Sequence, residues 1–182
     1  GTGGESVLTA DELCGAFSEA TGKGNNNPYL MHLVVRKGSD YFLYVYNARS
    51  HSSANDPLTL KTVVPIPAGV GREAAVWFGA FSTRYGFYAV GNRIMKFDYL
   101  NITQFAPEEK PFRLYDDKYE IVDVFVLIAG TALSDKDDCT VVYLYDREKK
   151  TTTIDVYNTL TGEDLHTYED ILPGRGVDFI KK

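Results

Sequence analysis

The sequence predicts an all-β protein assembled from repeated four-stranded antiparallel units. Three observations lead there. Thirteen Tyr and ten Phe against one Trp and two Met, in 182 residues, form a palette that suits pleated, half-buried strands. Runs of alternating apolar and polar residues are bounded by clusters of Gly, Asn, Asp and Pro that turn the chain. These runs also restart at intervals: with Leu30, Ala75, Ile121 and Gly176 as starting points, the spacings are 45, 46 and 55 residues.

The clearest unit surrounds Tyr143 to Asp164, where Thr140–Tyr145 and Thr152–Tyr157 flank the charged turn Arg147-Glu148-Lys149-Lys150 and a second turn follows at Leu160-Thr161-Gly162-Glu163. Ahead of them lies Ile121–Ile128, and after them Leu165–Tyr168. The preceding unit reads in the same way: Ala74–Phe81, Tyr85–Val90, the tight turn Gly91-Asn92, Arg93–Tyr99, and an outer edge at Pro111–Tyr115. The first unit holds Leu30–Val35, the turn Gly38-Ser39-Asp40, Tyr41–Tyr46 and Leu58–Ile66. Upstream, Thr9 and Glu12 match a capping box, and Leu13, Phe17 and Ala20 follow at helical spacing, so a short helix ending at Gly22 is predicted. Residues 1–28 then form a tail, helix and loop, and residues 29–182 a repeat domain with units at about 29–72, 73–118 and 119–173 and a fourth opening at 176.

A period in this range is that of propeller blades, in which an apolar first strand lines the centre and a polar outer strand meets water. Three blades do not close a ring that uses about four to eight. The chain is then a piece of a larger propeller, or a protomer that closes a ring with its copies, or a β-sandwich or β-barrel whose period is incidental. Segments such as Val156-Tyr157-Asn158-Thr159-Leu160-Thr161-Gly162-Glu163 resemble propeller repeats. Residues 29–182 as a whole resemble the propeller-like C-terminal region of exported Bacteroidetes lipoproteins with PKD-like domains. The resemblance implies an extracytoplasmic binding or scaffold module. The N-terminus Gly1-Thr2-Gly3-Gly4 has no Met and no leader pattern, as in a processed or trimmed chain, which puts any export signal upstream.

Composition excludes several functions. A net charge of −6 lacks the clustered cations that nucleic acid demands. No apolar run reaches the length of a membrane span. Cys14 and Cys139 are too few and too far apart for a disulfide framework or zinc ribbon, and read as two buried thiols. No cofactor fingerprint, phosphate loop or nucleophile elbow occurs. Asp135-Lys136-Asp137-Asp138 lacks the glycine and distant acid of a calcium loop and reads as a solvated hairpin tip. Asp116-Asp117 and Glu108-Glu109 are adjacent pairs whose side chains diverge on a strand. His32, His51 and His166 have no metal-ligand spacing, and Asn101-Ile102-Thr103 matches a glycosylation sequon.

No catalytic residue, metal or cofactor is therefore assigned. Tyr41, Tyr44, Tyr46, Trp77, Tyr85, Tyr88, Tyr99 and Tyr115 exceed what a core of this size requires, and flat exposed rings stack sugars. The ligand-binding candidates are Tyr44, Tyr85, Tyr88 and His51, the last in the polar loop Arg49-Ser50-His51-Ser52-Ser53. Two functions compete: a non-enzymatic binding or scaffold module for a glycan or protein, with a homo-oligomer or an upstream domain as a further partner, and a glycan-active hydrolase whose two carboxylates share a cleft. A purely structural, assembling domain is the third.

Overall fold

The computed structural model describes residues 9–19, 30–47, 59–74, 76–78, 85–98, 103–107, 109–127 and 138–175. Within them the protein is all-β, with one short helix and three four-stranded antiparallel sheets, none of which closes into a barrel. Each sheet is a meander. The first comprises β1 (Glu12–Glu19), β2 (Leu30–Lys37), β3 (Asp40–Asn47) and β4 (Thr59–Ile66). The helix α1 (Ala68–Glu73) leads to the second: β5 (Val76–Phe78), β6 (Tyr85–Val90), β7 (Arg93–Asp98) and β8 (Arg113–Leu114). The third comprises β9 (Tyr119–Leu127), β10 (Cys139–Asp146), β11 (Thr151–Asn158) and β12 (Asp164–Pro173).

The sheets stand in file, with the second between the other two. Trp77 of β5, Tyr88 of β6 and Phe97 of β7 face the first sheet, where they meet Leu30, Val34, Leu43, Val45, Val64 and Ile66. Tyr85, Phe87, Ala89 and Ile94 go the other way, onto Ile121, Val124, Val126, Val142 and Leu144 of the third sheet. Burial on both faces explains why β6 is a continuous apolar run instead of an alternating one. Each large side chain so buried contributes about 1.5–3 kcal/mol. Between the second and third sheets a polar strut adds direction: the Tyr115 hydroxyl donates to Tyr157 Oη at 3.0 Å, and Tyr157 donates to Asp155 at 2.7 Å. Burial pushes both phenols up, so they stay protonated donors.

The inner strands gather on one side. Cα traces come within 8 Å between β1 and β5 and between β5 and β9, with no comparable approach among the outer strands β4, β8 and β12, so the sheets fan outward like blades. β12 is exposed along almost its whole length, as an outermost strand should be.

One element differs from the sequence-based expectation. The helix predicted from Thr9 to Gly22 is the strand β1, paired antiparallel with β2 from Glu12↔Arg36 to Glu19↔Leu30. The first sheet therefore begins inside the stretch read as tail, helix and loop. A capping box and three apolar residues at helical spacing are local signals, each worth about 1 kcal/mol or less. A ladder along β2 and contact with β5 outweigh them. The short helix of the fold is instead α1, in the link between the first two sheets. The fourth unit expected at 176 lies outside the described residues.

Gly15 shows what β1 packs against: a Cβ there would sit 2.5 Å from Trp77 Cβ. Gly15→Ala is therefore expected to lower the unfolding free energy by about 1–3 kcal/mol, because a backbone-anchored Cβ cannot retreat. In a helix the same change would raise it by about 1 kcal/mol. Urea unfolding followed by the single tryptophan reads the sign.

Candidate functional site

A four-stranded meander puts its second-to-third turn and its exit link at the same end of the sheet. At that end lie the turns Gly38-Ser39, Gly91-Asn92 and Arg147–Lys150, together with the links 67–74 and 115–118. Each turn is built by local chemistry. Val90 pairs with Arg93, so two residues reverse the chain, and Gly91 supplies the left-handed conformation required (φ 59°). In the third sheet, Asp146 accepts from the backbone amides of Glu148 and Lys149, both at 3.0 Å, while Lys150 takes the left-handed position (φ 57°).

Between the second and third sheets this end opens into a cleft of about 530 Å³, lined by Asn92, Asp117, Tyr119, Glu120 and Arg147, with Ala89 and Ile121 of the buried core behind them. The lining is cross-braced. Asn92 donates to the carbonyl of Tyr115 and, at 3.2 Å, to the Asp117 carboxylate. Arg147 donates to the carbonyls of Asp117 at 2.7 Å and Tyr119 at 3.3 Å, and its own amide bonds to the carbonyl of Lys118. Lys118 lies 3.6 Å from Asp146 and 5.0 Å from the centre of the Tyr119 ring. The result is a rigid rim carrying an amide, a carboxylate, a guanidinium and a tyrosine.

The second acid of the cleft is differently engaged. Glu120 pairs across the ladder with Tyr145, on the face of the third sheet turned away from the second, and Arg175 donates to both of its oxygens at 2.5 and 2.6 Å. Asp117 and Glu120 are thus not a facing carboxylate pair of the kind glycoside hydrolysis needs.

The residues singled out from sequence separate. Tyr85 and Tyr88 are both buried, on opposite faces of β6, so neither ring can stack a ligand: the second sheet is covered on both sides. Tyr44 is half-exposed on the outward face of the first sheet, 6.5 Å from the Tyr46 ring and nearly parallel to it, and Lys37 donates to its hydroxyl at 2.6 Å. His51 lies outside the described residues. His32 is buried on β2, and His166 is exposed on β12 beside Tyr168. Asp138, expected at a solvated tip, is buried where β10 begins, its carbonyl accepting from the Thr159 amide; Asp135 to Asp137 are outside the described residues. Among the described residues no three His, Cys, Asp or Glu side chains gather to hold a metal, no helix is long and apolar enough to cross a membrane, and neither Cys14 nor Cys139 forms a disulfide.

Asp146 holds the turn that carries Arg147 to the cleft, and its carboxyl lies below the usual range, first through the Lys149 amide and then, against the cost of burial, through the Glu148 amide and Lys118. A lowered folded value means that this stabilisation is present above the unfolded value of about 3.9 and is lost as pH falls through the folded one. Asp146→Asn should therefore melt at a lower temperature than the wild type at pH 7, with the gap shrinking below about pH 4; paired thermal melts from pH 7 to pH 2 test this. No family model, curated protein or solved structure matches this chain.

Proposed function

We propose that the protein is a non-enzymatic binding module whose ligand site is the cleft between the second and third sheets. The observation that carries this reading is the lining itself: Asn92, Asp117 and Arg147 offer directional donors and acceptors beside the Tyr119 ring, held on tight turns of a rigid scaffold. Such a set suits a hydroxyl-rich ligand, a segment of glycan, whose hydroxyls both donate and accept and whose ring faces lie on tyrosine. On the resemblance to exported lipoproteins, the module works outside the cytoplasm.

The hydrolase reading has one observation in its favour, the presence of Asp117 and Glu120 at the same cleft. The engagement of both Glu120 oxygens by Arg175 weighs against it.

Screening on an oligosaccharide array, followed by calorimetry on the best ligand, tests the proposal. Asp117→Ala and Arg147→Ala are each expected to weaken binding at least about tenfold, the loss that one charge-assisted hydrogen bond of about 1.5–3 kcal/mol implies. Tyr44→Ala, away from the cleft, should leave binding unchanged. Chromatography of the incubated ligand should show it intact. Cleavage abolished by Asp117→Asn would replace the binding reading with the enzymatic one, and binding indifferent to both cleft variants would remove the site.

A further inference from the structure

The two ends of the file carry faces that no described sheet lies against. On the first sheet the outward face pairs Leu13 with Val35, Leu33 with Tyr44, Met31 with Tyr46 and Tyr44 with Val63. On the third sheet it pairs Phe125 with Val141 and Ile154 with both Tyr143 and Tyr168. These are the residue types that fill the two internal inter-sheet contacts; Val35, Tyr46 and Val141 are buried by their neighbours within the face, whereas Leu13 is 61% exposed and Val63 38% on one face, and Leu127 55% and Tyr168 49% on the other. Apolar area of this kind marks an interaction surface.

Charge on both faces is largely balanced within the face: Lys37 stands across the ladder from Asp40, and Glu120 is paired with Arg175. The first sheet presents Lys37, whose ammonium reaches the Tyr44 hydroxyl. The third presents Asp123, which pairs with Tyr143 across the ladder, and the Glu120–Arg175 pair beside Tyr145. The faces are opposite in sense, one continuing the file at its start and the other at its end. Because the sheets fan from β1, β5 and β9, the file is an arc instead of a straight stack.

We propose that a second copy of this chain occupies both faces at once: a two-fold pair in which the outward face of each first sheet packs on the outward face of the other copy's third sheet, closing six sheets into a ring. Six falls within the number that closes such rings. Two-fold symmetry repeats the contact twice and leaves no end face uncovered, whereas a single contact of this kind would propagate into a filament. The area is sufficient. Four strands about 5 Å apart, mostly eight residues long at about 3.3 Å each, give a face of about 500 Å², so two contacts cover at most about 2,000 Å², within the scale of stable interfaces.

Light scattering at graded concentrations should give twice the 20.3 kDa chain mass. Val63→Lys and Leu127→Glu place opposite charges on exposed positions of the two faces. Each alone spoils both contacts of the pair, so each should sediment as a monomer with an unchanged β-sheet spectrum. Mixed, they pair through one wild-type contact and one with matched charges, and the dimer should return. If Val63→Lys lost its sheet spectrum, Leu13→Lys on the same face would take its place. A wild-type monomer at every concentration, an open ladder of masses, a dimer indifferent to either variant, or dissociation by only one of the two would each overturn the proposal.

Discussion

The two-sided burial of the second sheet is the constraint on which the rest depends. A sheet covered on one face can alternate apolar with polar residues; β6 cannot, and carries Tyr85, Phe87, Tyr88 and Ala89 in near succession. That run is buried by a sheet on each side, which sets the order of the three meanders and gathers β1, β5 and β9 along the inner side of the file. The cleft follows from the same constraint. It exists because the second and third sheets pack face to face while their turns, made from polar residues, stop short of sealing one end.

Strand existence was legible where strands are regular. In the second and third sheets the alternation, the turn residues and the spacing agree, and the tight turns at Gly91-Asn92 and after Asp146 follow from their chemistry. β1 was hidden for a specific reason. A register shift between Leu13 and Gly15 breaks the two-residue period, and Leu13 points outward while Cys14 lies against the core, so the apolar residues left visible happen to fall at helical spacing. Pairing with a strand that begins eleven residues after β1 ends leaves no local trace.

The candidate site was less legible, and tyrosine shows why. Tyr44 and Tyr88 occupy similar continuous apolar stretches, yet one is half-exposed and the other buried, because exposure depends on whether a further sheet covers that face. No residue near Tyr88 in sequence carries that information. Asn92 and Arg147 each read correctly as members of a turn, whereas Asp117, read as one of an adjacent pair on a strand, lies in the link between β8 and β9; the three are up to 55 positions apart, and only the stacking of two sheets brings them to one rim. Glu120 illustrates the converse: adjacency to the cleft does not make an acid available when strand parity assigns its side chain to the opposite face.

β12 has a meaning beyond its exposure. A ten-residue outer strand with open peptide groups is ordinarily a template for cross-β growth. Here the template is damaged along its length: its pairing with β11 is twice interrupted, Asp170 takes a left-handed backbone (φ 52°) while its carboxylate accepts from Thr151 and Lys149, and Asp164 and Glu169 add like charge. An incoming strand would lose register within a few residues and bring acids against acids. Backbone-directed polymerisation is thereby disfavoured at the rim, so any association of this molecule is left to side-chain packing, with its demand for shape and sequence.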